Sequence, residues 1–165
     1  MKISKEQKKD LKAKIEKLNL LRIHLKKEFI GIDTIIDKLI HSISPFYLLP
    51  NSLSKPVVVN LWGMTGCGKT SLINEMVKFL NLESSYIKFD LAEAEYNNKL
   101  FIELSKKTKD LSPLNNIIVL DEFQTGRTIN EKGEENNKST LRVIWELMDS
   151  GLLQASYART HRGNN

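Results

Sequence analysis

Eight consecutive residues, Gly63 to Thr70, have the types and spacing of a loop that binds phosphate. They read Gly-Met-Thr-Gly-Cys-Gly-Lys-Thr and match the pattern G-x-x-x-x-G-K-[ST]. Glycines allow backbone N–H groups to converge on phosphate oxygens, and a following helix directs the positive end of its dipole at the same anion. The pattern predicts a nucleotide-binding site made of Gly63, Met64, Thr65, Gly66, Cys67, Gly68, Lys69, Thr70 and Ser71.

Two polar side chains of this loop carry the predicted chemistry. We expect the Lys69 ammonium to contact the β- and γ-phosphates and to act in catalysis. We expect the Thr70 hydroxyl to bind Mg²⁺. The loop therefore predicts a magnesium–nucleotide complex as the ligand.

A second acidic motif follows later in the chain, where the apolar run Ile117–Leu120 ends in Asp121 and Glu122. A carboxylate at the end of such a strand is typical of the position that holds Mg²⁺, so Asp121 is the predicted second metal ligand. Glu122 is the predicted general base that polarises an attacking water. A base for water favours ATP hydrolysis over transfer to a small molecule, which needs a substrate pocket and a lid.

The elements around these motifs predict an α/β fold with a parallel sheet. Lys55–Trp62 is short, apolar and rich in β-branched residues, which is typical of a buried parallel strand before the loop. Residues 71–80 place Leu72, Met76, Phe79 and Leu80 on one helical face. Ser84–Asp90 alternates like a second strand, and Asn115–Glu122 is the predicted third. The predicted core residues here are Trp62, Trp145, Leu141, Ile144 and Met148.

The sequence resembles the AAA+ P-loop ATPases, and within them the Clp/Hsp100-like branch. The resemblance is carried by Gly63 to Thr70, by Asp121-Glu122, by a helix that opens after Ile30-Gly31, and by Asp149-Ser150-Gly151-Leu152-Leu153 after a further helix. It covers roughly residues 28–153. It implies ATP and Mg²⁺ as ligands, hydrolysis coupled to remodelling of a protein or nucleic-acid partner, and a homo- or hetero-oligomer that completes the active site.

The chain also departs from that family's pattern. Such a core has five parallel strands, a polar sensor residue on the fourth, an arginine finger and a helical lid, whereas this sequence ends at Asn165 after the turn that should lead to the fourth strand. We therefore expect an incomplete AAA+ large subdomain, truncated before the sensor strand and lid; a different strand order is the alternative. Residues 91–114 also lack the aromatic-hydrophobic-glycine pore loop that Clp-type unfoldases use to grip polypeptide.

Three functions stay open from the sequence. The first is an AAA+ ATPase module that remodels a partner. The second is a nucleotide-binding switch or subunit without turnover of its own, which the missing sensor and finger would explain. The third is a helicase-like AAA+ protein of the viral replication type, because the metal-binding strand of such proteins can also end in Asp-Glu-Phe, as Asp121-Glu122-Phe123 does here.

The N-terminal segment is strongly basic. The chain has a net charge of +5, but residues 1–30 contain ten Lys or Arg and four Asp or Glu (+6), and the remainder contains 15 and 16 (−1). Its apolar residues have helical spacing, which predicts a basic amphipathic helix with a break near Asn19. We assign residues 1–30 to this extension and 31–165 to the ATPase core. The helix could pack on the core, form a coiled-coil contact with a partner, or contact nucleic acid or an anionic surface.

Composition and cysteine content indicate the cellular compartment of the protein. With 41% hydrophobic residues the chain is able to bury a core, and no apolar run is long enough to span a bilayer. The first residues contain no continuous apolar segment of the kind found in secretory signals. The single cysteine, Cys67, excludes an internal disulfide and fits a reducing compartment, so we expect a cytoplasmic protein.

Cys67 gives a direct test of the loop assignment because its thiol lies inside the predicted phosphate cradle. Alkylation with iodoacetamide is expected to block nucleotide binding, and saturating Mg-ATP is expected to slow the alkylation. Mass spectrometry follows labelling, and the fluorescence of a labelled ATP analogue follows binding. Fully labelled protein that bound the analogue normally would contradict the assignment.

Overall fold

The computed structural model describes residues 4–91, 116–123 and 139–151, with the backbone alone for residues 139–143. These residues fall into two compact units, the first holding residues 4–86 and the second holding residues 87–91, 116–123 and 139–151. The elements in chain order are α1 (Lys5–Glu28), α2 (Asp33–Leu48), α3 (Lys69–Leu80), β1 (Tyr86–Asp90), β2 (Ile117–Asp121) and α4 (Ser139–Ser150). Short 3₁₀ turns occupy Pro50–Ser52 and Glu83–Ser85.

Helix α1 begins with a complete capping box. The Gln7 N–H donates to Ser4 Oγ at 3.1 Å, and the Ser4 N–H donates to the Gln7 side-chain oxygen at 2.9 Å. This arrangement satisfies two of the backbone donors that a helix leaves without partners at its start. The helix then continues through Asn19, so the predicted break there is wrong. Asn19 is exposed and interrupts no part of the buried face.

Three helices form the core of the first unit, with α1 packed against both α2 and α3. Each helix contributes one apolar stripe with helical spacing. The buried residues are Leu18, Leu21 and Leu25 of α1, Ile36, Leu39 and Ile40 of α2, and Leu72, Met76, Val77 and Leu80 of α3. Of the three interpretations of the N-terminal helix, packing on the rest of the chain is therefore supported.

Polar contacts fix the orientation of α3 against α1. Lys17 Nζ donates to the Leu80 carbonyl at 3.1 Å, which satisfies one carbonyl in the last turn of α3. His24 Nε2 lies 2.8 Å from Glu75 Oε1, and the His24 ring stacks on Phe79 with ring centroids 5.0 Å apart. These contacts are specific in direction, whereas the leucine contacts are not, so they select one orientation of the helix pair.

A small parallel sheet is formed by β1 and β2, and all of its residues except Tyr86 belong to the second unit. The predicted second and third strands are thus confirmed, although the Ser84-Ser85 start of the second belongs to a 3₁₀ turn. Ile87 and Phe89 are buried, while Lys88 between them is exposed, as the alternation of a strand requires. The Leu91 N–H donates to the Asp121 carbonyl at 3.0 Å and continues the pairing to the end of β2.

The strand predicted at Lys55–Trp62 is wrong, because this segment is not assigned to any β-ladder. A strand exists only where a second backbone accepts its hydrogen bonds, and apolar composition does not supply that backbone. Trp62 is 87% exposed and Trp145 is 58% exposed, so both predictions of a core role are also wrong. Ile144 is fully buried, as predicted, and Met148 is partly buried.

Some predictions fall on residues that the structure does not describe. Outside the description are residues 1–3, 92–115, 124–138 and 152–165 and the side chains of residues 139–143. The predictions that fall there are Asn115 at the start of the third strand, Leu141 in the core, and Leu152-Leu153 of the segment that carries the family resemblance. Among the helices that are described, none combines the length and the apolar character needed to cross a bilayer.

Two adjacent leucines of α1 test the packing of the first unit. Leu21 has no exposed surface, whereas Leu20 is 54% exposed. Leu21→Ala is expected to lower the free energy of unfolding by about 2–4 kcal/mol, because it leaves a cavity between helices. Leu20→Ala removes the same atoms at the surface and is expected to change the free energy of unfolding by less than about 1 kcal/mol. Urea denaturation measures both, and equal losses would contradict the described packing.

Candidate phosphate-binding site

The segment Gly63 to Thr70 forms a loop that leads directly into α3, which begins at Lys69. Gly66 and Gly68 have φ values of +80° and +87°, a left-handed conformation that L-residues with side chains rarely adopt. Gly68 is also the N-cap of α3 and gives the helix no side-chain cap. The start of α3 therefore presents backbone donors and the positive end of its dipole without a capping side chain from its N-cap residue.

Space around these glycines is open. A Cβ atom placed on Gly66 or Gly68 would have no neighbouring atom within 4 Å, so the constraint on both positions is conformational. Gly63 differs, because a Cβ there would lie only 3.0 Å from Cys67 Sγ. The loop thus curls tightly enough to bring its first residue against its fifth.

Lys69 folds back over the loop. Its Nζ donates to the Gly63 carbonyl at 2.8 Å and to the Met64 carbonyl at 2.9 Å, and it lies 3.8 Å from Cys67 Sγ. Both oxygen acceptors are neutral, and within the described residues no carboxylate forms an ion pair with Lys69. The ammonium charge is therefore held at the loop without being cancelled, which suits the binding of an anion.

All nine predicted binding residues lie in the first unit and are contiguous. Met64 is 83% exposed, and Cys67 is an exposed free thiol that a reagent in solution is able to reach. Thr70 and Ser71 occupy the first turn of α3, directly after Lys69. The structure thus brings together the whole of the predicted phosphate loop.

The predicted acidic pair lies in the second unit, at the carboxyl end of β2. Asp121 is the last residue of the strand, and Glu122 follows it with φ of +52°. A glutamate in the left-handed region is strained by about 1–2 kcal/mol, and such strain is frequent at functional sites. The turn allows the Glu122 N–H to donate to Asp121 Oδ1 at 3.1 Å.

Lys88 is a functional candidate that the sequence analysis missed. Its Nζ lies 2.7 Å from Asp121 Oδ2, and the Asp121 side chain is 24% exposed. This ion pair connects β1 to β2, and no local sequence motif predicts it. The alternation of Ser84–Asp90 could have placed Lys88 on the polar face of its strand, but not beside Asp121.

The donor groups fit the ligands that the motifs imply. Three features of the loop suit a phosphate chain: the left-handed backbone of Gly66 and Gly68, the start of α3 without a side-chain cap, and the Lys69 ammonium with its neutral partners. No group of three or more His, Cys, Asp or Glu side chains within the described ranges is arranged to hold a metal ion. Hydroxyl and carboxylate oxygens are the types of donor that suit Mg²⁺, which usually keeps several waters and takes further oxygens from bound phosphates.

A protein-family model matches a part of the chain that contains this site. The model of the family described as "ATPase family associated with various cellular activities (AAA)" matches residues 59–157, which is more than half of the chain. The matched range includes both the phosphate loop and the acidic pair. No curated protein and no solved structure matches the chain.

The N-cap of α3 offers a test of the loop geometry. Gly68→Ala is expected to lower the free energy of unfolding by about 1–2 kcal/mol, because alanine is strained at a φ of +87°. Gly68→Asn is expected to cost less, since asparagine tolerates the left-handed region better than alanine. Urea denaturation of both variants measures the difference. An alanine variant as stable as the asparagine variant would contradict the left-handed N-cap.

Proposed function

The chain belongs to the AAA family of ATPases, and from this premise we propose that it binds Mg-ATP and hydrolyses the bond between the β- and γ-phosphates. One observation carries the proposal. The Lys69 ammonium is held by the carbonyls of Gly63 and Met64 at the start of α3, where Gly66 and Gly68 leave the loop open. A fixed positive charge beside the start of a helix is the arrangement that binds a phosphate chain.

We assign the binding of phosphate oxygens to the backbone of residues 63–71 and to the Lys69 side chain. Because the ammonium already has neutral partners in the loop, an arriving phosphate exchanges weak acceptors for charged ones. Lys69 bonds to the loop carbonyls and to phosphate oxygens both have a charged donor, but only the phosphate adds attraction between opposite charges, and this attraction favours binding. The same charge is available to stabilise the negative charge that moves toward the leaving phosphate during hydrolysis.

We assign the binding of Mg²⁺ to the Thr70 hydroxyl and the Asp121 carboxylate. This assignment rests on the two motifs and on the chemistry of the donors. The ion neutralises phosphate charge when it is bound. The contribution of the chain is a hydroxyl in the first turn of α3 and a carboxylate at the end of β2.

We assign the role of general base to Glu122, which would accept a proton from the attacking water. Its left-handed backbone supports this role, because a strained residue persists only where the surrounding structure holds it in place. The backbone N–H of Glu122 is engaged by Asp121 Oδ1. The same turn thus sets the positions of the proposed metal ligand and the proposed base.

We further propose that hydrolysis drives the remodelling of a protein or nucleic-acid partner, and that a neighbouring subunit completes the active site. The family match supports the second of these proposals, since ATPases of this kind frequently assemble into oligomers. Membership of the Clp/Hsp100-like branch, the division at residue 30, the truncated large subdomain and the cytoplasmic location stay predictions.

Two substitutions separate binding from turnover. Lys69→Met is expected to weaken ATP binding by about 10- to 100-fold, because it removes hydrogen bonds to charged oxygens worth about 1.5–3 kcal/mol. Glu122→Gln is expected to bind ATP normally and to lose about 10²- to 10⁴-fold in turnover, the usual contribution of a general base. Isothermal titration measures binding, and phosphate release measures turnover. Lys78→Met, in the last turn of α3, is the matched control for charge.

The same assays separate the alternatives. Turnover abolished by Glu122→Gln supports the ATPase, whereas ATP binding without turnover in the wild type supports a switch. Stimulation by single-stranded nucleic acid supports the helicase-like alternative. A turnover per chain that rises with protein concentration supports a site completed by a neighbour. Wild-type protein that binds no ATP would overturn the proposed function.

A further inference from the structure

Both oxygens of the Asp121 carboxylate have partners within the second unit. Lys88 Nζ lies 2.7 Å from Oδ2, and the Glu122 N–H donates to Oδ1 at 3.1 Å. One partner is a full positive charge and the other is a neutral backbone donor. The negative charge of Asp121, which the proposed function assigns to Mg²⁺, is therefore already balanced by a cation of the chain itself.

The position of Lys88 follows from the register of the sheet. Ile87 and Phe89 are buried on one face of β1, so Lys88 between them extends from the opposite face. Pairing of β1 with β2 brings that face beside the end of β2, where the Leu91 N–H bonds the Asp121 carbonyl. Lys88 thus reaches Asp121 because of strand register.

A lysine is suited to leave such a pair. Its ammonium is a point charge on a flexible four-carbon stem, and the Lys88 side chain is 39% exposed, so the charged group is able to move into water. A divalent cation at the same carboxylate would repel the ammonium and offers the carboxylate a stronger partner. The neutral Glu122 N–H has no such conflict with the ion and is able to keep its bond to Oδ1.

We propose that Lys88 is a positioning residue that competes with Mg²⁺ for Asp121, a role that rests on the proposed function. Without the metal, Lys88 balances the Asp121 charge and keeps the carboxylate oriented from β1. When Mg-ATP is bound, Asp121 would hold the metal and the Lys88 ammonium would leave Oδ2. Lys88 therefore raises the Mg²⁺ concentration at which the metal–nucleotide complex forms.

The test is the dependence of ATP binding on Mg²⁺. A fluorescent ATP analogue is titrated into the full chain at a series of Mg²⁺ concentrations and in EDTA. Lys88→Met is expected to lower the half-saturating Mg²⁺ concentration by about threefold, a size typical of partly exposed ion pairs, and to leave binding in EDTA unchanged. Lys88→Arg keeps the cation and is expected to stay close to the wild type. Lys38→Met, an exposed lysine of α2, is the control for net charge.

The outcomes are distinct. A half-saturating Mg²⁺ concentration that is unchanged or higher in Lys88→Met overturns the competition, because a lysine that only orients Asp121 would help the metal. The same lowering in Lys38→Met also overturns it, since net charge would then explain the effect. Wild-type protein that binds no analogue at any Mg²⁺ concentration overturns the proposed function and this inference together, whereas normal binding with an unchanged midpoint overturns the inference alone.

Discussion

Burial of one leucine stripe on α1 is the interaction on which the first unit depends. Leu18, Leu21 and Leu25 are covered because α2 and α3 lie along the same helix. The leucine stripe determines the position of α3 against α1. The hydrogen bond from Lys17 to the Leu80 carbonyl fixes the last turn of α3. Since the loop of residues 63–70 leads into α3 at Lys69, the packing of α3 against α1 indirectly orients that loop.

The loop itself depends on local constraints. Gly66 and Gly68 adopt left-handed conformations that other residues would resist, and Lys69 bonds the carbonyls at the start of the loop. These interactions join residues that are close in sequence, so they need little help from the rest of the fold. The conformation of residues 63–70 therefore follows from a short sequence motif, because the same eight residues supply the turn, the charge and the start of the helix.

The elements that sequence alone predicted well are those set by near neighbours. The apolar spacing of α3 and the alternation of β1 were confirmed because each pattern is contained within its own element. The predictions that were wrong or missing concern features that depend on residues distant in the sequence. Lys55–Trp62 has a strand's composition without the ladder that a strand needs, and Trp62 is exposed although it is the type of residue that a core often buries. The pairing of Lys88 with Asp121 was missed for the same reason, because it depends on register between strands that are distant in sequence.

Asp121, Glu122 and Lys88 are coupled at the end of β2, because Asp121 contacts both of the others. The left-handed turn at Glu122 directs its N–H to Asp121 Oδ1, while the ammonium from β1 holds Oδ2. A change in the turn would move the Asp121 carboxylate as well as the Glu122 side chain, and a change at Asp121 would leave Lys88 beside an altered partner. Groups that share partners in this way have non-additive effects on stability. The apparent contribution of any one of the three therefore depends on whether the other two are in place.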